Sequence, residues 1–183
     1  MAKVRQNIVV HGLSGSLGNQ LVIRQDKAGR TIVGIKPSFN PNREFSESQK
    51  SHQESFREAA AYGQAAKDQE AYVSKAEGTP LNPYNVAMAD WFHAPQILDV
   101  DLAAWSGQAG QAIRIKALDD VQVTKVTVLI SDENDTLIEQ GEATRADGLW
   151  WQYITTAAAG GSPKVLASAQ DLPGHIAEMT KVK

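Results

Sequence analysis

Cysteine is absent from the 183 residues, which removes disulfides, thiolate metal sites and cysteine nucleophiles together. Proline is absent from residues 3–36, so nothing in the first segment interrupts strand pairing. No apolar run approaches the roughly 18 residues of a membrane span, and residues 1–10 lack the apolar core of a secretory signal. A membrane span is therefore not expected. The compartment stays open between the cytoplasm and export by another route to the cell surface or beyond. Apolar residues make up 42% of the chain, enough to build a core.

Charge is unevenly spread. Residues 1–36 carry Lys3, Arg5, Arg24, Lys27, Arg30 and Lys36 against Asp26 alone, a balance of +5, whereas residues 37–96 come to −3 and residues 97–183 to −5. A basic head and an acidic tail attract each other between copies, because opposite fields complement across an interface. The competing reading is of ordinary solvated charges.

Three segments differ in period. Residues 1–36 read as a β-hairpin arm whose apolar positions are Val4, Ile8, Val10, Leu21, Ile23, Ile32, Val33 and Ile35. The loop Asp26-Lys27-Ala28-Gly29-Arg30 has its glycine placed for the positive φ of a short hairpin turn. Ahead of it, residues 11–19 contain Gly12, Gly15 and Gly18, which suit a tightly turning loop and a hinge. Residues 37–95 read as a helical linker of two to three helices. Ser46 and Gln49 form a capping box with Phe45 as a staple. The stripe His52, Phe56, Ala59, Ala60, Gly63 and Ala66 gives a narrow packing face, Asp68 caps a further turn, and Asn82-Pro83 starts a short helix with Tyr84, Ala87, Met88 and Trp91 on one face. Residues 96–183 alternate apolar and polar side chains over six or seven short runs, at residues 97–102, 112–117, 121–130, 137–143, 150–156, 164–169 and 176–182, as an antiparallel sandwich requires. The fold class expected is α+β.

In that last segment, Ala117-Leu118-Asp119-Asp120-Val121-Gln122-Val123-Thr124-Lys125-Val126-Thr127-Val128 resembles the entry of bacterial immunoglobulin-like and cadherin-like modules, an aspartate turn followed by V-x-x-V-x-V. Ala169-Gln170-Asp171-Leu172-Pro173-Gly174-His175 is similar to the turn before their final strand, with His175 in place of the usual asparagine. The resemblance implies an Ig-like β-sandwich of a surface or extracellular protein. The N-terminal half resembles uncharacterised short bacterial proteins with a G-x-L-G-N turn and a Gln/Phe/Ala-rich helix, a likeness that implies no function.

Little in the sequence points to catalysis. The glycine loop has neither the P-loop nor the dinucleotide spacing, and Gly12, Ser14 and Ser16 do not form a nucleophile elbow. His11, His52, His93 and His175 have no zinc spacing. Asp99, Asp101, Asp119, Asp120, Asp132, Asp135 and Asp171 fall near strand ends, where carboxylates bind calcium in cadherin-like modules. The EF-hand pattern is missing, however, and Asx turns account for such positions equally well. Nucleic acid is not an expected partner, since the basic segment has no aromatic to interleave. Trp105, Trp150 and Trp151 are candidates for an exposed aromatic platform, and adjacent Trp150 and Trp151 must point to opposite faces of a strand. These readings converge on a protein that is not an enzyme and needs no cofactor. The function expected is that of a structural subunit that self-assembles head to tail into a filament or other polymer, its arm adding as a β-strand to a neighbour. The alternative is a monomeric Ig-like module binding glycan or protein at a bacterial surface.

Overall fold

The structure, a computed structural model, describes residues 2–4, 12–18, 20–38 and 42–183. Contacts divide the chain into two compact units, Met1–Ser55 with Gly78–Pro80 and Phe56–Glu77 with Leu81–Lys183, so the helical segment expected over 37–95 contributes to both. The class is α+β.

The first unit is built on an antiparallel sheet of β1 (Ala2–Val4), β2 (Gly15–Leu17), β3 (Leu21–Gln25) and β4 (Thr31–Ile35), in the order β1-β4-β3-β2. The expected hairpin is β3–β4. Its turn closes because Asp26 Oδ1 accepts the amides of Ala28 and Arg30 at 3.0 and 2.9 Å, while Gly29 takes φ +71°. The Arg30 amide holds the Asp26 carboxyl below its usual range. One expectation is corrected: Gly15–Leu17 is a strand on β3 and not part of a loop, since Leu17 lies opposite Leu21 and Gly15 opposite Ile23. The flanking glycines do bend the chain, with φ of +83° at Gly12 and +58° at Gly18.

Helix α1 (Glu47–Ala66) starts at the expected capping box, in which Gln49 N donates to Ser46 Oγ and Ser46 N to Gln49 Oε1. Its expected stripe is only half right. Ala59, Gly63 and Ala66 are buried, but His52 and Phe56 are exposed. At Gly63 the approach is close: a Cβ there would sit 3.1 Å from the carbonyl oxygen of Tyr84. Helix α2 (Glu70–Ala76) is preceded by Gln69, which makes no side-chain cap, so Asp68 does not cap it as expected. Helix α3 (Pro83–Asp90) is capped by Asn82, whose Oδ1 accepts Asn85 N at 2.7 Å. It buries Val86, Ala87 and Asp90, so of the expected face Ala87 is buried while Tyr84, Met88 and Trp91 are half-buried. Ala66, Tyr72, Ala76, Val86 and Ala87 form a small core, against which Val121 and Leu172 also pack.

The rest of the second unit is a β-sandwich-like fold of two antiparallel sheets. One runs β5-β6-β10-β9, with β5 (Gln96–Asp101), β6 (Ala112–Leu118), β9 (Thr144–Arg145) and β10 (Trp150–Ile154). The other runs β12-β11-β7-β8, with β7 (Lys125–Ser131), β8 (Leu137–Glu142), β11 (Lys164–Gln170) and β12 (Ile176–Val182). Residues 121–124, expected at the start of a strand, precede β7 as a turn. Alternation along the strands puts Ile113, Ile115, Val126, Val128, Ile130 and Val165 wholly inside, each worth about 1.5–3 kcal/mol of burial. The polar turn after β7 is held by Asp132 Oδ1, which accepts the amides of Asn134 and Thr136 at 2.8 Å each. Glu139 Oε2 accepts from Thr156 N, Thr156 Oγ1 and Ala157 N, tying β8 to the loop after β10.

The sandwich also disposes of its open sides. Strand β8 runs through Ala143 into β9, passing from one sheet to the other. On the opposite side, Lys181 of β12 donates to Asp99 Oδ1 and to the carbonyl of Val100, and Lys183 donates to the carbonyl of Leu102. Lysines that occupy an edge strand's carbonyls are a barrier to adding a foreign strand there.

Candidate functional site

Three surfaces carry the side chains of interest. The first is the arm. Cross-strand partners share a face, so Leu17, Leu21 and Ile35, paired in one row across β2, β3 and β4, point the same way, joined by Ile23 and Val33 in the next row. Ile23 is buried and Leu21 and Val33 are half-buried, but Leu17 is 63% exposed and Ile35 84%. Ile32 lies on the opposite face, beside Arg24. Val4 is in β1, its backbone opposite Thr31. Ile8 and Val10 lie outside the described residues. Of the proposed hinge, Gly12 and Gly18 flank β2 and Gly15, with φ +120°, begins it. Leu17 was missed by pattern reading because it sits among glycines.

The second surface is the outer face of β6 and β10. Trp150 points outward, with the Arg114 guanidinium 4.6 Å and the Lys116 ammonium 5.8 Å from its ring centre. The other two tryptophans are corrected. Trp105 is fully buried and Trp151 nearly so, because Trp151 alternates inward on β10 and Trp105 fills the core beside the β5–β6 connection. Neither is an exposed platform.

The third is a cleft of about 490 Å³ between the end of α3 and the end of β6, lined by Phe92, His93, Gln96, Leu118, Asp119 and Asp120. His93 Nδ1 lies 2.7 Å from Asp120 Oδ2. Asp119 Oδ2 accepts the amides of Val121 and Gln122, while its buried Oδ1 has no partner among the described residues. The aspartate turn seen in the sequence thus forms a wall of this cleft. An acidic floor with apolar sides suits a cationic, partly apolar partner.

Behind the cleft, Tyr62 and Tyr72 hydroxyls lie 2.6 Å apart and Tyr72 donates to Asp90 Oδ2 at 2.7 Å, joining α1, α2 and α3. Asp90 is 1% exposed and its Oδ1 has no partner among the described residues. Burial pushes its carboxyl up to about 6, and the charges of Asp119, Asp171 and Asp120 act in the same direction. Burial also raises both tyrosine hydroxyls. The neighbouring turn is organised by buried Asp171, whose Oδ1 accepts Gly174 N and His175 N at 2.7 Å each and whose Oδ2 lies 3.0 Å from His175 Nδ1.

Among the described residues, no three His, Asp or Glu side chains are disposed to hold a metal ion, and no helix is long and apolar enough to cross a membrane. The candidate calcium carboxylates are spread over separate turns.

No protein-family model matches the sequence, and neither does any curated protein. Among solved structures, CopC from Methylosinus trichosporium is similar at 19% identity and a TM-score of 0.37, over 49% of this chain and 90% of that one. An engineered protein is similar at 16% identity and a TM-score of 0.37, over 55% of this chain and 26% of that one. A conjugative transposon lipoprotein from Bacteroides eggerthii is similar at 14% identity and a TM-score of 0.27, over 48% of this chain and 92% of that one. Likenesses this distant transfer neither ligand nor activity.

Proposed function

We propose that the chain is a non-enzymatic structural subunit that self-assembles head to tail into a filament or other polymer, its N-terminal β-arm adding to a neighbouring subunit. The observation that carries this reading is the in-register row Leu17–Leu21–Ile35, which leaves two large aliphatic side chains in water on a four-stranded sheet. An apolar row of this kind on a small sheet marks a contact surface. The +5 of residues 1–36 against the −5 of residues 97–183 steers copies into a head-to-tail contact. A heterologous contact repeats into a ring or a filament. The bridged sides of the sandwich favour docking through side chains over addition of a strand to its edges. We further infer that the sandwich is an Ig-like or cadherin-like module, supported by the two aspartate turns at Asp119 and Asp171.

Light scattering during size exclusion, with negative-stain microscopy across a concentration series, tests the reading. The wild type is expected to form polymers. Leu17→Glu with Ile35→Glu is expected to leave a folded monomer, because two buried charges at such a contact oppose association by several kcal/mol. A wild type that stays monomeric at the highest concentration refutes it.

One observation favours the alternative, a monomeric module for glycan or protein: Trp150 faces outward between two cations. Aromatic side chains so placed serve as anchors. If this is the function, a ligand found by array screening of the monomer should lose about tenfold or more in affinity with Trp150→Ala. Unchanged affinity removes that tryptophan from the site.

A further inference from the structure

The arm's apolar row requires an acceptor in the next copy, and the surfaces of the sandwich differ in how well they serve. The outer face of β6 and β10 presents Arg114 and Lys116 around Trp150, and would repel a sheet whose segment carries +5. The two open sides are bridged by the β8–β9 strand and by Lys181 and Lys183. The Tyr72–Asp90 pair is buried and offers no surface. The cleft beside α3 is different, because it combines exposed apolar groups with carboxylates: Phe92 is 40% and Leu118 39% exposed, next to Asp119 and Asp120.

We propose that this cleft, in a neighbouring copy, is the acceptor for the N-terminal sheet. Leu17, Leu21 and Ile35 lie on Phe92 and Leu118, and Lys36, which follows Ile35 at the same end of the sheet, faces Asp119 and Asp120. This assignment rests on the assembly reading above and names its second surface. Two features support it. Apolar side chains meet apolar side chains and opposite charges meet, the arrangement that fixes register at an interface. The donor and acceptor surfaces are unlike each other, so the contact is heterologous and leaves both free surfaces at the ends of any oligomer.

A charge-swap experiment on the full chain tests this. Asp120→Lys reverses a charge of the cleft without touching its apolar wall or the Asp119 oxygen that caps the turn, and Lys36→Glu reverses the facing charge of the arm. Each variant alone is expected to associate at least ~10-fold more weakly than wild type by light scattering, with circular dichroism reporting an intact fold. An equimolar mixture of the two is expected to recover association, since the reversed arm of one meets the reversed cleft of the other. Wild-type association by the cleft variant, while Leu17→Glu with Ile35→Glu is monomeric, overturns the cleft and leaves the assembly reading standing. A mixture that fails to recover overturns the pairing of these charges. A wild type that never associates overturns both.

Discussion

Trp105→Ala is expected to destabilise the second unit by about 3–5 kcal/mol, the cost of removing a large aromatic from a closed core. Trp105 is fully buried among Leu102, Ile113, Ile115 and Val100 in the principal core, and its loss leaves a cavity that rigid strands cannot collapse to fill. Its indole N–H has no partner among the described residues, so Trp105→Phe restores most of the lost packing and removes an unsatisfied donor, and should cost far less. Urea unfolding of the two variants checks this. A loss below about 1 kcal/mol for the alanine variant would exclude Trp105 from the core and return it to the exposed aromatics.

Asp90→Asn is expected to stabilise the protein at neutral pH and to flatten its pH dependence. The folded-state pKa is raised from 3.8 to about 6, so the folded protein holds this proton more tightly than the unfolded chain. Stability from this group is therefore highest below about pH 4 and falls as pH rises through the window to about 6. Above it, the buried carboxylate carries a penalty of about 3 kcal/mol. Asparagine stays neutral and keeps an oxygen to accept from Tyr72. Asp26 and Asp132, whose pKa values are lowered by backbone amides, act in the opposite sense and at lower pH. The difference between variant and wild type isolates Asp90. Parallel melting curves from pH 4 to 8 would show that Asp90 is not held as described. The groups facing Asp90 are Tyr62 and Tyr72 on the helices and Asp119, Asp120 and Asp171 on the loops of the sandwich, so this linkage also reports whether the helices stay seated on those loops.

Much of the fold was legible because it is written in periods. The alternation at 112–117 and 164–169 could only be a half-buried strand, and Asn82-Pro83 and the Ser46–Gln49 box fixed two helix starts through local hydrogen bonds. Where reading failed, the cause was burial imposed from elsewhere. The stripe through His52 and Phe56 is helical in spacing but is not covered, and α3 buries Asp90 because a tyrosine from α2 supplies a hydrogen bond that spacing cannot reveal. Leu17 was hidden by glycines that permit a strand as readily as a turn.

By itself the sequence determined the order of strands, helices and strands along the chain, the charge difference between head and tail, the absence of thiol chemistry, and that Trp150 and Trp151 face opposite ways, since each follows from composition or from the periods of strand and helix. Only the tertiary structure decided which tryptophan is outward, that Trp105 is core, that Leu17, Leu21 and Ile35 form one exposed row, and that Phe92 and Leu118 meet Asp119 and Asp120 in one cleft. Cross-strand register and the meeting of distant loops depend on how whole elements pack, which no local pattern encodes.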